Sequence, residues 1–144
     1  MIVNINTEKE LHSKVVDYMR KYIKEAIIVP GLGELQSNSN VRADAYYKGY
    51  AGGQLDILIL NYHTKYRGLA IELKTPTGRG IISKNQENYL KHLENNGFFV
   101  LISSDYDEVI TTIVKYSMGI RYLVKATKRK FRSTTARDKY LKNR

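Results

Sequence analysis

Two short apolar segments carry acidic side chains at positions where a folded core is expected. Asp56 lies within the run 55–60, and Glu72 and Lys74 lie within the run 69–74. Both runs are rich in residues that favour β-strands and are separated by a polar loop, so we predict two neighbouring strands. Because side chains alternate between the faces of a strand, Glu72 and Lys74 are expected to point the same way.

A carboxylate buried in an aliphatic strand is unfavourable by several kcal/mol unless a partner compensates its charge. A divalent cation bound jointly by Asp56 and Glu72 would provide that compensation, and hard cations prefer oxygen ligands. The alternative is a solvated strand face on which Glu72 and Lys74 form an i, i+2 charge pair. The strand pattern by itself therefore leaves a metal site and a surface ion pair open.

Length and composition indicate one intracellular domain. The chain has 144 residues, enough for a single domain with a sizeable core. It contains no cysteine, which excludes disulfides and thiolate metal sites, and its three histidines lack zinc-type spacing. No basic and apolar leader begins the sequence, and no apolar run is long enough to span a bilayer. We therefore expect a soluble, intracellular protein without a membrane partner.

Positive charge is concentrated in segment 121–144. Ten of its residues are Lys or Arg and one is Asp, for a net charge of +9, whereas residues 1–120 carry a net charge of +1. Such a run is a common feature of nucleic-acid-binding proteins; the alternative is a disordered tail that aids solubility. The predicted nucleic-acid contacts within it are Lys128, Arg129, Lys130 and Arg132. We thus divide the chain into a domain at 1–120 and a basic tail at 121–144.

The hydrophobic pattern predicts an α/β arrangement of helix, three strands, helix, strand and helix. The predicted helices cover about 8–25, about 83–96 and a stretch after Asp105, and the predicted strands cover 26–29, 55–60, 69–74 and 98–102. The strand at 98–102 is continuously apolar, so we expect it to be buried on both faces. Segment 31–50 lacks clear periodicity and is expected to be a long loop. In that loop Arg42, Lys48 and the tyrosines can contact phosphate or stack on bases; alternatively, the tyrosines cover the core.

Two further polar residues have both a structural and a functional interpretation. Glu8 lies at the core-facing edge of the first helix, where its carboxylate can either reach a metal near Asp56 or complement the helix dipole. Gln86 lies four residues before Leu90 on the inward face of its helix, where it can orient a water or a phosphate. However, Ser83 and Gln86 also fit a helix capping box.

The ordered set of these residues resembles the VRR-NUC (virus-type replication-repair nuclease) domain of the PD-(D/E)XK nuclease superfamily. The likeness covers about residues 7–116. It consists of Glu8 on a first helix, Gly-x-x-Asp at 53–56, Glu72-x-Lys74 followed by Thr-Pro-Thr-Gly-Arg at 75–79, Gln86 on the next helix, and Gly97 before the last strand. One position departs from the family pattern, because Leu55 stands where the family has a proline before the aspartate. This change affects backbone stiffness at the turn more than ligand chemistry.

The resemblance implies a restriction-endonuclease-like fold, in which a mixed central β-sheet is flanked by α-helices, and a Mg²⁺- or Mn²⁺-dependent deoxyribonuclease activity. The implied metal ligands are Glu8, Asp56, Glu72 and the Leu73 carbonyl, and the implied catalytic residues are Asp56, Glu72, Lys74 and Gln86. Lys74 would position or activate the attacking water, and the basic Arg79 in the following loop is a candidate DNA contact. Single-domain members of the family look like Holliday-junction resolvases, so the implied partner is branched or structured DNA and the implied assembly is a homodimer.

Three functions are therefore compared. The first is a structure-specific DNA endonuclease in replication, repair or recombination. The second is a DNA-binding module on a nuclease-derived fold that no longer cuts. The third is an RNA- or ribosome-associated basic protein whose activity depends on segment 121–144.

Overall fold

The computed structural model describes residues 4–31, 38–77 and 81–121. The predicted nucleic-acid contacts Arg79, Lys128, Arg129, Lys130 and Arg132 lie outside these ranges. Within them, helices and strands follow the order α1 (Glu8–Tyr22), β1 (Ile28–Pro30), α2 (Ser39–Tyr47), β2 (Ile57–Ile59), β3 (Gly68–Leu73), α3 (Lys84–Asn95), β4 (Phe98–Ser103) and α4 (Tyr106–Met118). None of these helices combines the length and the apolar character that a membrane crossing requires.

The strands form one mixed sheet in the order β1-β2-β3-β4. β1 pairs antiparallel with β2, and β2 pairs antiparallel with β3 with Ile57 opposite Ile71. β3 and β4 are parallel, with Glu72 opposite Ile102. A parallel pair needs a crossover connection, which α3 supplies. The mixed sheet and its flanking helices confirm the predicted fold class.

Helices cover both faces of the sheet and bury β3 completely. On one face α1 and α4 pack against β3 through buried side chains that include Leu11, Ile113 and Ile71. On the other face Leu90 of α3 packs against Ala70. Every residue of β3 is buried as a result. The predicted alternation is confirmed, because Ile71 belongs to the first core and Ala70 to the second.

A helix corrects the loop predicted for segment 31–50. The helix α2 begins after Asn38, whose side-chain oxygen accepts a hydrogen bond from the Val41 backbone N–H at 2.9 Å. No residue of α2 is buried, so the helix lacks the apolar stripe by which a helix is recognised in a sequence. Tyr46 and Tyr47 are 70% and 83% exposed. The alternative that these tyrosines cover the core is therefore wrong for this pair.

The strand β4 is less buried than the sequence predicts. Phe98 to Leu101 are only partly buried, and Ile102 is 38% exposed. Among the strands of the described ranges, β4 pairs with β3 alone and lies at the edge of the sheet. A continuous apolar run does not reveal edge position, because that depends on the order of the strands.

A glycine sets the distance between the segment before β2 and the start of α3. Gly53 has a φ of +89°, and a Cβ atom at this position would lie 2.5 Å from the Asn85 carbonyl carbon. At Gly52 a Cβ atom would lie 3.5 Å from Asn85 Nδ2, which is an ordinary contact. We predict that Gly53→Ala lowers the free energy of unfolding by about 2 kcal/mol or more, from both backbone strain and overlap. Gly52→Ala, the matched control, should change it by less than about 1 kcal/mol.

Urea denaturation followed by circular dichroism measures both variants. Equal losses in the two variants would contradict the role assigned to Gly53.

Candidate active site

A cleft of about 350 Å³ opens where β3 ends and α3 begins. It brings together four of the predicted site residues from four separate segments, namely Glu8, Asp56, Glu72 and Gln86. In the described ranges, no three His, Cys, Asp or Glu side chains lie close enough together to surround one metal ion. The three carboxylates thus share a cleft without forming a compact cluster.

Glu72 is the buried carboxylate of this cleft, and its side chain is 2% exposed. Its Oε1 atom accepts hydrogen bonds from Lys74 Nζ at 3.0 Å and from Gln86 Nε2. Its Oε2 atom is buried and accepts no hydrogen bond from the described residues. Leaving such an oxygen unsatisfied costs about 1–3 kcal/mol, and more for a charged group. The cleft thus contains a buried acceptor that the described residues leave unsatisfied.

The surroundings of Glu72 oppose its ionisation. Burial, followed by repulsion from Asp56, raises the pKa of Glu72 to about 7, and Glu8 adds a smaller effect in the same direction. The hydrogen bond and the charge of Lys74 act the other way and lower that pKa. The amine therefore compensates only part of the cost of burying the carboxylate.

The backbone of neighbouring segments positions Asp56. Its Oδ2 atom accepts a hydrogen bond from the Leu73 N–H at 2.8 Å, and its carbonyl oxygen accepts one from the Gly31 N–H at 2.8 Å. The antiparallel register of β2 and β3, continued by one residue, places Asp56 opposite Glu72. Asp56 precedes β2 rather than lying inside it, which corrects the predicted strand bounds. The role of the Leu73 carbonyl as a metal ligand stays a prediction.

Lys74 and Gln86 complete a network around Glu72. Lys74 Nζ donates to Gln86 Oε1 at 3.1 Å as well as to Glu72. The same Gln86 oxygen accepts a hydrogen bond from the Ser83 N–H, and Ser83 Oγ accepts one from the Gln86 N–H, which forms the predicted capping box. The cap of α3 and the site therefore share one side chain, so the two interpretations of Gln86 are compatible.

The alternative of a solvated charge pair is wrong. The Glu72 and Lys74 side chains are 2% and 14% exposed, so this ion pair lies inside the protein rather than on a wet strand face.

The cleft is also lined by residues that the sequence did not single out, among them Tyr50 and Asn85. Tyr50 follows α2, and its N–H donates to the Ala45 carbonyl at 2.9 Å. Burial, and then the charges of Asp56 and Glu72, raise the pKa of Tyr50. Tyr50 belongs to a tyrosine-rich segment, but without periodicity the sequence does not reveal which of its rings faces the site.

Arg42 and Lys48 lie outside the described walls of the cleft. Both are exposed, Arg42 on α2 and Lys48 directly after it. Lys48 Nζ pairs with Asp44 at 2.6 Å. Their predicted contact with nucleic acid stays a prediction, as do those of Arg79 and the basic tail.

The raised pKa of Glu72 predicts a pH-dependent stability in EDTA. Between pH 4.5, the ordinary value, and about pH 7 the folded protein binds a proton that the unfolded chain has lost. The free energy of unfolding should therefore fall by up to about 3 kcal/mol as pH rises through this interval and level off above it. Glu72→Gln should remove this contribution, because the amide does not titrate.

Urea denaturation from pH 4.5 to 8 measures the slope of the free energy of unfolding against pH. The matched control is Glu94→Gln, at an exposed position. A slope that persists in Glu72→Gln would assign the effect to another group.

Comparison with solved structures identifies a similar fold. The chain matches a protein described as "VRR_NUC domain protein" with a TM-score of 0.61 and 21% sequence identity, over 78% of this chain and 89% of that chain. No family model matches the sequence. No curated protein matches it either. The structural match confirms the predicted resemblance at the level of the fold.

Proposed function

We propose that this protein is a metal-dependent nuclease that hydrolyses phosphodiester bonds in DNA. The observation that carries the proposal is Glu72, a carboxylate buried in the central strand with one oxygen that accepts no hydrogen bond from the described residues. Asp56 and Lys74 lie beside it, which gives a carboxylate pair that can hold a cation and an amine that can orient the attacking water. The fold shared with a VRR_NUC domain protein supports the same function.

The residues of the cleft fit a hard divalent cation. Glu8, Asp56 and Glu72 offer only oxygen donors, which suit Mg²⁺ or Mn²⁺. Glu72 Oε2 can accept a cation without losing a hydrogen bond to the described residues. Glu8 and Asp56 would supply further oxygens from the walls of the same cleft, although the three carboxylates do not form a compact group as described. The Leu73 carbonyl is a further candidate ligand.

The side chains of the cleft have distinct roles in this proposal. When bound, the cation polarises the phosphate and lowers the pKa of the attacking water. Lys74 holds its ammonium group next to Glu72, where it orients that water and offsets negative charge that develops on the phosphate. Gln86 accepts a hydrogen bond from Lys74 and donates one to Glu72, and so fixes the position of the amine. This positioning is the contribution we assign to Gln86.

We propose branched or structured DNA as the substrate. Tyr46 and Tyr47 are exposed on α2, where they can stack on bases that a junction leaves unpaired. Arg42 and Lys48, together with Arg79 and the basic segment 121–144, would contact the phosphates. A homodimer would present two clefts to two strands of a junction.

A cleavage panel tests the activity. Flap, fork and four-way-junction DNA are incubated with the protein and Mg²⁺, Mn²⁺ or EDTA. We expect cutting that requires a divalent ion and falls at least about 100-fold in Glu72→Gln. The neutral amide would hold the cation less well than the carboxylate does, and the cation stabilises the negative charge of the transition state. Glu94→Gln, an exposed variant on α3, should cut normally. Cutting in EDTA, or cutting that survives Glu72→Gln, would refute the proposal.

One observation favours the alternative of a DNA-binding module that no longer cuts, namely the lack of a compact carboxylate group in the described ranges. That alternative predicts tight junction binding without dependence on a divalent ion. The same DNA panel distinguishes the two functions when binding is measured beside cleavage.

Lys74 is expected to act in turnover rather than in binding. We predict that Lys74→Ala lowers the cleavage rate about 100-fold or more, because charge stabilisation is lost, with less than a threefold change in the Kd for DNA. The control Lys91→Ala removes an exposed lysine of α3 that pairs with Glu87 and should change neither quantity. Equal losses of binding and turnover in Lys74→Ala would show that the lysine mainly holds the substrate or the fold.

Gln86→Ala should produce a milder kinetic loss together with a lower stability. Removing a side chain of the capping box costs about 1 kcal/mol, and the position of Lys74 is no longer fixed by an amide. Single-turnover cleavage and thermal unfolding measure the two effects. A lower melting temperature with normal turnover would restrict Gln86 to the helix cap.

A further inference from the structure

A second concave surface surrounds the loop between β2 and β3, at the opposite end of β3 from the cleft. Two pockets of about 400 Å³ and 510 Å³ lie next to each other on this surface, because they share Lys65 and Tyr66 in their walls. We call it the loop groove; the lining residues used below are Tyr62, His63, Lys65, Tyr66, Arg67 and Lys115. From Arg67 to Glu72 the strand advances roughly 17 Å. The loop groove is therefore separate from the candidate active site.

Aromatic contacts give the groove a fixed wall. Tyr66 packs edge-on against Phe99 with ring centroids 5.2 Å apart, and His63 lies 5.4 Å from Tyr66. On its other side His63 stacks on Tyr116 at 4.7 Å with an interplanar angle of 26°. The Tyr116 hydroxyl donates to the Asn61 carbonyl at 2.6 Å. Four rings from three separate parts of the sequence thus support one another.

The charge of the groove is positive. Lys65, Arg67 and Lys115 are exposed, and none of them forms an ion pair with a carboxylate of the described ranges. No carboxylate is among the described residues that line either pocket. The groove therefore presents cations without the acidic partners that usually neutralise exposed lysines.

The strongly basic segment of the chain begins next to this groove. The Arg121 N–H donates to the Tyr62 carbonyl at 2.9 Å, and residues 121–144 carry a net charge of +9. Tyr62 itself is 44% exposed. A polyanion bound in the groove would thus lie close to the start of a second positively charged element.

We propose that the loop groove is an accessory binding site for single-stranded nucleic acid. Lys65, Arg67 and Lys115 would contact the phosphates, and Tyr62 would stack on a base. This combination of a positive groove and aromatic faces is the arrangement that single strands require, because their bases are free to stack. A duplex hides its base faces, and an acidic peptide would leave the rings without a stacking partner. Binding here involves no cleft residue and no divalent ion, so it is independent of cleavage.

Charge removal tests the phosphate contacts. Binding of a fluorescein-labelled oligo-dT to the full chain is followed by fluorescence anisotropy in EDTA across a salt series. The double variant Lys65→Ala/Lys115→Ala should raise the Kd about tenfold at low salt and reduce the slope of log K against log salt by about 1.4, for two lost phosphate contacts. The control Lys14→Ala/Lys24→Ala removes two exposed lysines on and after α1 and should change the Kd by less than twofold. Equal changes in the two double variants would overturn the proposal.

Ring removal tests stacking. Tyr62→Ala should weaken oligo-dT binding at least about fivefold, whereas Tyr62→Phe, which keeps the ring, should change it by less than twofold. Both variants retain the backbone carbonyl that accepts the Arg121 hydrogen bond, and thermal unfolding checks that each is folded. A duplex of the same length should not distinguish Tyr62→Ala from the parent. Similar effects on duplex and single strand, or competition by poly-glutamate as strong as that by oligo-dT, would refute a single-strand site.

Cleavage and oligo-dT binding, measured side by side on the parent protein and on the groove variants, separate this proposal from the nuclease function. Oligo-dT binding that falls in Lys65→Ala/Lys115→Ala and in Tyr62→Ala, in a parent protein that cuts none of the DNA substrates, would refute only the nuclease function. Cleavage with normal oligo-dT binding in every groove variant would refute only the accessory site.

Discussion

The burial of one carboxylate in a central strand constrains the rest of the structure. Helices on both faces cover β3 completely, so Glu72 is buried although it lines the cleft. Lys74 and Gln86 satisfy one of its oxygens and thereby connect the end of β3 to the start of α3. Replacement of a buried ion pair by packed apolar side chains is often neutral or stabilising. A chain selected for stability alone would have little reason to keep Glu72 at this position.

The topology explains why residues distant in the sequence meet at this point. Because β2 and β3 are antiparallel, the residue before β2 lies beside the end of β3, and Asp56 therefore lies beside Glu72. The crossover to β4 begins directly after β3, so the first turn of α3 carries Gln86 to the same end of the sheet. At the other end, the β2–β3 loop meets the end of α4 through the bridge between His63 and Ile120. One strand thus separates the acidic cleft from the basic groove.

The sequence predicts those features that depend on neighbouring residues. Alternation along β3 and the Ser83–Gln86 capping box are local, and both are confirmed. The helix α2 is missed because it buries no side chain, so its residues show no apolar period. The exposure of β4 is missed because edge position depends on strand order. The loop groove could not be predicted, since Tyr66, Phe99 and Tyr116 meet only in the folded chain.

The two findings on the carboxylates, a shared cleft and no compact cluster, have one electrostatic explanation. Like charges in a poorly solvated site repel, and Asp56 and Glu8 both raise the proton affinity of Glu72. The same repulsion opposes a closer approach of the three groups than the described ranges show. A divalent cation would reverse this effect, because each carboxylate would be attracted to the cation that lies between them. A cation in the proposed metal site would compete with the proton for the same oxygens, so the raised pKa of Glu72 and the proposed metal binding would be two consequences of one arrangement.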